Sequence, residues 1–398
     1  MIIWYALLGT GLFFSLLALV MTWANLRVYQ PTEPLAKAPK IGEHDDNEKT
    51  PFVSVCVPAR NEEANLEHCV RSILKQDFKS FEVLVYDDGS EDKTPQILRA
   101  LSELDDRVIA VRTETLPDGW NGKQHACWQM SRHARGRWML FTDADVRFEP
   151  SALRRALAFA EASKAGLVST FPRQITKTPS ESLIVPMIFF VLFSYLPMML
   201  MRRRPDPGLC AACGQFILAR RDAYEKAGSH SAVRDSMHEG VKLPRLVRKA
   251  GFHTDLFDGT DLCSVRMYEG LGQTWRGFTK NAYEGLGSIG LLVFFTVVHA
   301  VAHIVPWLAA VWLIVAVSLG AMAWQSAWLL GALAGGSILA QLVQRAMLAK
   351  RLGTPAIGIW LHPVGVIAMT LIQWHSLLLE LAGARTWRGR TQGSSTAG

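Results

Sequence analysis

The 398-residue chain is 49% hydrophobic and 19% charged, with a net charge of +7, which is more apolar and less charged than a soluble protein of this length. The apolar residues gather in long uncharged runs at the two ends, so an entirely soluble chain is excluded, while the length allows more than one domain. The positive charge forms no basic stripe interleaved with aromatics, which argues against a nucleic-acid partner and fits a protein beside an anionic membrane leaflet.

Residues 2 to about 24 are apolar and uncharged over a length that crosses a bilayer as a helix. A signal peptide is the rival reading. Against it stand the lack of a basic stretch before the run, the length of the run and the absence of a small-residue cleavage site. Arg27, Lys37 and Lys40 follow and favour the cytoplasm at that end. Residues 1–27 are therefore read as a transmembrane helix, and 28–50, rich in Pro, Glu, Asp and Lys, as a linker. From Phe52 to about Val168 the pattern alternates. Strands are expected at Val53–Val57, Phe81–Tyr86, Val108–Val111 and Trp138–Thr142, and helices at Glu62–Leu74, Thr94–Leu104 and Lys123–His133. Such alternation predicts an α/β fold with a parallel sheet covered on both faces.

Ser182–Met201 is apolar again and ends in Arg202, Arg203 and Arg204. A single crossing there would put residues 143 and 145 on the opposite side from 205–285. Residues 182–204 are therefore read as an interfacial helix, or a hairpin broken at Pro197, with a buried core helix as the alternative. Mixed polar sequence closes a soluble domain of residues 51–287. Residues 288–384 are membrane again: Ile289 to about Trp324, interrupted by Pro306; Ala327 to about Leu348, ending in Lys350 and Arg351; and Ile357 to about Leu381. Three simple spans would carry Arg385, Arg388 and Arg390 outside, against the preference of arginine for the cytoplasm. A hairpin in the first stretch, or a re-entrant turn at Pro363, restores them. Residues 385–398 read as a basic, then Gly/Ser-rich disordered tail. The six cysteines, Cys56, Cys69, Cys127, Cys210, Cys213 and Cys263, show no disulfide framework and suit a reducing compartment.

Ligands of an open α/β sheet gather at the carboxyl ends of its strands, and here three strands run into carboxylates. The fourth ends in Asp143-Ala144-Asp145. These oxygen ligands suit Mg²⁺ or Mn²⁺ bridging a diphosphate, and Asp143 can alternatively reach a ribose. Asp-x-Asp also occurs in ordinary loops. Pro58-Ala59-Arg60-Asn61-Glu62-Glu63 follows the first strand, where a strand-to-helix turn offers N–H groups to an anion, or where Asn61 and Glu62 only cap a helix. The absence of Gly-x-Gly-x-x-Gly and of Gly-Lys-Ser/Thr disfavours the common dinucleotide and phosphate loops. Asp87-Asp88-Gly89-Ser90 ends the second strand. A carboxylate there accepts the imide N–H of a uracil, or the segment is simply an Asp/Gly turn.

In Gly119-Trp120-Asn121-Gly122-Lys123 the lysine is a point charge for a phosphate, or a surface lysine beside a turn. Cys210 and Cys213 form one Cys-x-x-Cys without a second ligand pair for zinc, so the segment reads as small residues packed before the Gly214-Gln215-Phe216 loop. His238-Glu239-Gly240 precedes a helix at Val241–Lys249. Glu239 is a candidate general base, or a helix-start glutamate favoured by the dipole. Arg266 and Arg276 suit a leaving diphosphate or anionic headgroups equally. His299 and His303 share a helix face, lack the Glu of a zinc-protease motif and read as packed polar residues.

Together, Val57 to Glu62, the Asp87–Ser90 turn, Thr142 to Asp145 and Gly214-Gln215-Phe216, in this order and spacing, resemble the family 2 glycosyltransferases. The membrane arrangement resembles the lipid-glycosylating branch, such as hopene-associated, carotenoid and ceramide glycosyltransferases. Trp387-Arg388-Gly389-Arg390 resembles a cytosolic signature near the end of such enzymes. The resemblance covers roughly residues 52–285 well. It implies a GT-A-type mixed, mostly parallel sheet flanked by helices, on the cytoplasmic face of an inner or plasma membrane, with N- and C-terminal transmembrane helices. It further implies inverting, non-processive hexosyl transfer from a nucleotide sugar, expected to be UDP-linked, to a lipid hydroxyl or carboxyl, with Mn²⁺ or Mg²⁺. By motif position, Asp87 or Asp88 would bind the base, Asp143 the ribose or metal, and Asp145 the metal. Pro58, Ala59, Arg60, Glu62, Ala144 and Gln215 would belong to the donor site, with Lys123 and Arg276 assisting the diphosphate. Glu239 falls at the base position, although the family often shows Glu-Asp or His-Asp-Gly where this chain has His-Glu-Gly, so Asp235 is held in reserve. Gln273-Thr274-Trp275-Arg276 does not fit the Gln-x-x-Arg-Trp of processive synthases. A polysaccharide-building transferase and a non-catalytic nucleotide-binding scaffold are the alternatives. No oligomeric state is implied.

Overall fold

The computed structural model describes residues 1–32, 52–384, 386–387 and 390–391. Most of the expected linker, with Lys37 and Lys40, and most of the expected tail, with Arg385 and Arg388, lie outside the described residues. In chain order come α1 (Ile2–Val28), β1 (Val53–Ala59), α2 (Leu66–Leu74), β2 (Phe81–Asp87), α3 (Thr94–Leu104), β3 (Val108–Val111), α4 (Gly122–His133) and β4 (Trp138–Phe141). Next are β5 (Val146–Phe148), α5 (Ala152–Ser163), β6 (Leu167–Ser169), β7 (Arg173–Gln174), α6 (Pro179–Ile184), α7 (Met187–Tyr195) and α8 (Met198–Arg203). β8 (Ile217–Arg220), α9 (Arg221–Lys226), α10 (Glu239–Lys249), β9 (Thr254–Leu256), β10 (Cys263–Val265), α11 (Gly270–Thr279) and α12 (Ala282–Leu286) follow. The last are α13 (Ile289–His299), α14 (Val305–Ser318), α15 (Trp324–Leu352), α16 (Ile357–Trp360), α17 (His362–Leu381), β11 (Thr386–Trp387) and β12 (Arg390–Thr391). These elements fall into two units. Tyr29–Ile175 with Met198–Met267 builds on a sheet, and Met1–Val28, Thr176–Pro197 and Tyr268–Ala382 form a group of helices.

The sheet has seven strands in the order β3-β2-β1-β4-β8-β6-β9. β1 pairs parallel with β2 and β4, while β8 runs antiparallel between β4 and β6. Strand alternation sorts the core into two layers. Val53, Val55 and Val57 face one way, onto Leu66, Cys69 and Val70 of α2 and Leu153 and Leu157 of α5. Cys56, Met139 and Phe141 face the other way, onto Cys127 and Met130 of α4 and Leu243 and Val247 of α10. Burial on both faces is why β1 and β4 read as continuous apolar runs. A smaller sheet, β5-β10-β7, lies in the same unit.

Helix α2 begins at Leu66 rather than at Glu62, because the preceding residues are used in a turn. Asn61 sits in the left-handed region at φ 53°, and Glu62 N–H donates to Thr94 Oγ1 at 2.8 Å. A buried Tyr29 and a backbone bond from Asp258 N–H to the Gln30 carbonyl at 2.9 Å tie the start of this unit to its sheet.

The helical unit holds four paths long and apolar enough to cross a membrane: Ile2–Val28, Ile289–Ser318, Trp324–Leu352 and His362–Leu381. The first C-terminal stretch is one 30-residue path and not a hairpin. Its interruption is a π-helical turn at Ala300–Ile304. Pro306 has no N–H to give the carbonyl of Ala302, four residues back. That carbonyl instead accepts from Ser15 Oγ at 3.0 Å and Gln341 Nε2 at 2.7 Å, which joins α1 and α15 to the turn. Gln344 likewise donates to Thr22 Oγ1 and Ser194 Oγ, each at 2.8 Å. Such bonds satisfy polar groups where lipid offers none. The stretch expected as one interfacial helix, or a hairpin broken at Pro197, is three short helices, α6, α7 and α8, with Pro186 and Pro197 between them. α6 and α7 belong to the helical unit and α8 to the sheet unit.

Candidate functional site

Within the sheet unit, the loops that follow β1, β2 and β4 meet at the carboxyl ends of those strands. The first two are sewn together. Asn61 N–H donates to Ser90 Oγ at 2.9 Å, Glu91 N–H to Asn61 Oδ1 at 2.9 Å, and Glu63 N–H to Asp92 Oδ2 at 3.0 Å. Arg60 is buried here. Its guanidinium donates to the Asp88 and Gly89 carbonyls and lies 3.9 Å from Asp88 Oδ2. Asp87 Oδ1 accepts from Ser90 N–H at 3.2 Å, so Asp87 shapes the turn. Asp88 is buried beside Arg60. Pro58 and Ala59 close β1, with the Ala59 carbonyl accepting from Asp88 N–H at 2.8 Å. Glu62, also buried, accepts from Asn65 Nδ2 at 3.0 Å.

The centre of the site is a row of three charges, of which Glu239 is buried and Lys123 and Asp143 are half-buried. Lys123 Nζ lies 2.6 Å from Asp143 Oδ1 and 2.6 Å from Glu239 Oε1. Lys123 is placed by the start of α4. Asn121 caps that helix, its Oδ1 accepting from Lys123 N–H at 2.9 Å, and is itself held by its N–H to the Arg234 carbonyl at 2.6 Å. Asp143 follows β4, where Thr142 Oγ1 donates to the Gln215 carbonyl at 2.8 Å. Glu239 is the first residue of α10, where the helix dipole favours a carboxylate, and its Oε2 accepts from Gln124 Nε2 at 3.2 Å.

Two glycines make room. A Cβ at Gly214 would overlap Glu239 Oε1 and lie 3.1 Å from Lys123 Nζ, and one at Gly240 would overlap the Ala212 carbonyl. Burial by itself would raise the Glu239 pKa, but the Lys123 ammonium overrides it and holds the carboxyl well below its usual range. Burial likewise works against the Lys123 charge, and Asp143 and Glu239 overcome it, keeping the ammonium protonated.

Asp145 is half-buried and Ala144 buried. Gln215 is buried, and its Oε1 accepts from Cys213 Sγ at 3.6 Å. Burial pushes the Cys213 thiol up to about 12, so it is a neutral thiol, and all six cysteines are free. Asp235 is exposed in the turn before α10. Arg276 is exposed on α11, which belongs to the helical unit. Among the described residues no three His, Cys, Asp or Glu side chains form a metal cage. Asp143 and Asp145 offer only hard oxygen ligands, which fits an ion that takes one or two carboxylates and completes its shell with waters and substrate phosphates.

Asn121 and Gln124 were missed as site residues. Asn121 was legible as a cap, being an Asn directly before a helical segment. Gln124 carries no local signal, because its partner Glu239 is 115 residues away.

Residues 54–228 match the model of the family described as Glycosyl transferase family 2. That range contains Asp87, Asp88, Lys123, Asp143, Asp145 and Gln215 but not Glu239. The chain is 30% identical over 243 residues to the 4,4'-diaponeurosporenoate glycosyltransferase of Staphylococcus aureus strain USA300, covering 59% of this chain and 62% of that one. To the protein of the same name from strain MRSA252 it is 30% identical over 264 residues, 64% of this chain and 65% of the relative. The chain thus spans just under two thirds of the length of these curated relatives. A mannosyltransferase, PcManGT from Pyrobaculum calidifontis, solved in complex with GDP-Man and Mn²⁺, superposes with a TM-score of 0.54 at 19% identity, over 93% of this chain and 96% of that one. The expected GT-A-type fold is the one observed.

Proposed function

We propose that this chain, whose residues 54–228 form a glycosyl transferase family 2 domain, transfers a sugar from a nucleotide sugar to the polar end of a membrane lipid, one sugar at a time and with inversion. The observation that carries this reading is the row Asp143–Lys123–Glu239, with Lys123 Nζ 2.6 Å from each carboxylate. It sets a fixed cation between the Asp-x-Asp carboxylates and a second acid able to serve an acceptor. The relatives' name pairs that activity with a carotenoid acid, and four apolar helices suit a substrate dissolved in a membrane. The donor is read as UDP-linked from the acidic turn at Asp87 and Asp88, with the GDP-mannose of the structural neighbour as the competing case. Arg27 and the pair Lys350–Arg351, at the ends of α1 and α15, favour a cytoplasmic site.

Lys123 would release Asp143 as the donor arrives and offer its ammonium to the departing diphosphate. Asp143 and Asp145 would hold Mn²⁺ or Mg²⁺, which when bound neutralises charge on that leaving group. Asp88, steadied by Arg60, would take the base, and Gly214, having no Cβ, leaves room beside Glu239 Oε1. While paired with Lys123, Glu239 is a weak base, so a hydroxyl acceptor needs that pair to open before Glu239 takes its proton. A carboxyl acceptor arrives ionised and needs no base. Held together, donor and acceptor react as if unimolecular.

The test uses membranes containing the protein, a panel of radiolabelled nucleotide sugars and Mn²⁺ or Mg²⁺. Label is expected in the organic extract and is expected to vanish in Asp145→Asn. Label in insoluble polymer would replace this reading with polysaccharide synthesis. Absence of both transfer and donor hydrolysis would overturn it. Glu239→Gln then sorts the acceptors: a loss of roughly 10²–10⁴-fold is expected for hydroxyl acceptors, and little change for carboxyl acceptors.

A further inference from the structure

The helical unit contains a second cluster of polar groups that sugar transfer does not use. His299 at the end of α13, His303 in the π-helical turn, His362 at the start of α17 and Tyr195 at the end of α7 gather around Phe190. Ring centroids lie 6.1, 5.1, 5.0 and 6.1 Å from Phe190 for His299, His303, His362 and Tyr195 respectively. All three imidazoles are at most 1% exposed. His362 Nε2 and His303 Nδ1 share a hydrogen bond of 3.0 Å. Both nitrogens of His299, His362 Nδ1 and the Tyr195 hydroxyl are buried with no hydrogen-bond partner among the described residues.

Each such atom costs several kcal/mol in a hydrocarbon setting, and polar residues inside apolar helices are retained for function far more often than for packing. Elsewhere in the same unit Gln341 and Gln344 bond their amide N–H groups, while Gln344 Oε1, Thr370 Oγ1 and Gln373 Oε1 are also without a partner among the described residues; the four unmatched atoms here are set apart by gathering around one ring. The π-helical geometry at Ala300–Ile304 places His303 in this cluster beside Pro306, and such turns are frequent at functional sites. Among the described residues these imidazoles belong to no group of three His, Cys, Asp or Glu side chains placed to hold a metal ion.

We propose that this cluster binds the hydroxyl or carboxyl end of an apolar lipid, with Phe190 and Phe295 against its chain. Tyr195 stacks edge-on with Phe295 at 4.8 Å, so aromatic faces lie beside unmatched polar atoms. The ligand class follows from that pairing: a long apolar body ending in one small hydrogen-bonding group. The inference stands apart from the sugar-transfer reading, because every group in it belongs to the helical unit.

The experiment is native mass spectrometry of the full chain in detergent micelles with 1-hexadecanol, palmitic acid or hexadecane as probe. The alcohol, the acid or both are expected to be retained and hexadecane lost. His299→Phe and Tyr195→Phe should each weaken retention of the polar-ended probes at least tenfold, while thermal stability does not fall. Equal retention of hexadecane would mean ordinary lipid contact and overturn the proposal. So would unaltered retention in both variants, which would leave the cluster a site for internal water only. Tyr195→Phe removes a single oxygen, so the test survives if His299→Phe fails to fold.

Discussion

Replacing Gly214 with alanine adds one methyl group and removes no functional group, yet it should disable the site. Gly214 has a backbone conformation open to any L-residue, since it is not among the positive-φ glycines, so the chain path can stay as it is. The new Cβ would overlap Glu239 Oε1 and press on Lys123 Nζ from 3.1 Å. Glu239 has little freedom to yield, being 7% exposed and held by Gln124 from the other side. Relief requires a displacement of about 1 Å, and misplacement on that scale costs on the order of 10²-fold in rate. The assay is initial rate of label transfer into lipid, measured alongside thermal unfolding. The expected result is a large fall in turnover with a small change in melting temperature. A Gly214→Ala enzyme with wild-type turnover would refute the placement of Glu239 and Lys123 as working groups, because the methyl group cannot coexist with the observed positions of both.

Other outcomes follow from the same geometry. Lys123→Met should cut transfer and also move the acid limb of the pH–rate profile upward for hydroxyl acceptors, because the ammonium that holds Glu239 low is gone; an unmoved limb would separate Glu239 from that titration. Asn121→Ala removes the cap of α4 and should lower stability by about 1 kcal/mol, read as a shift in denaturant midpoint without a change in slope. His230 is buried against Phe141 at 4.5 Å and bonded through Nδ1 to Tyr224 Oη at 2.7 Å, and burial lowers its pKa to about 3. The unfolded chain takes up that proton near pH 6.5 and the folded chain does not, so stability is full above about pH 6.5 and is lost as pH falls toward 3, by at most about 1.4 kcal/mol per unit. Thermal unfolding at pH 7, 6 and 5 should show that slope, and His230→Gln should flatten it.

Where local pattern decides structure, the chain could be read directly. β1 and β4 are apolar on both faces and α3 falls on its expected bounds, because period and burial are properties of short segments. Asp143 and Asp145 were legible for the same reason: a strand that ends in carboxylates is visible without its neighbours. Lys123 was found as a loose phosphate charge, but its seat between two acids was not, since α4 and α10 are brought together only by the sheet. Gln124 was invisible on the same grounds. The π-helical turn and the unmatched imidazoles escaped because His299 and His303 sit at a spacing that an ordinary helix also presents on one face. In segment 182–204 the break expected at Pro197 is present, and Pro186 adds a second that the apolar run up to Met201 does not announce.

β8 lies between β4 and β6, antiparallel to both, and this has a consequence for biogenesis. Thr142 and Gln215, which bond across that pairing, are 73 residues apart in the chain. Everything in between, including α6, α7 and α8, has to leave the ribosome before the middle strand can slot in. Until then β4 has an open edge and β6 has neither of its sheet neighbours, because β9 leaves later still.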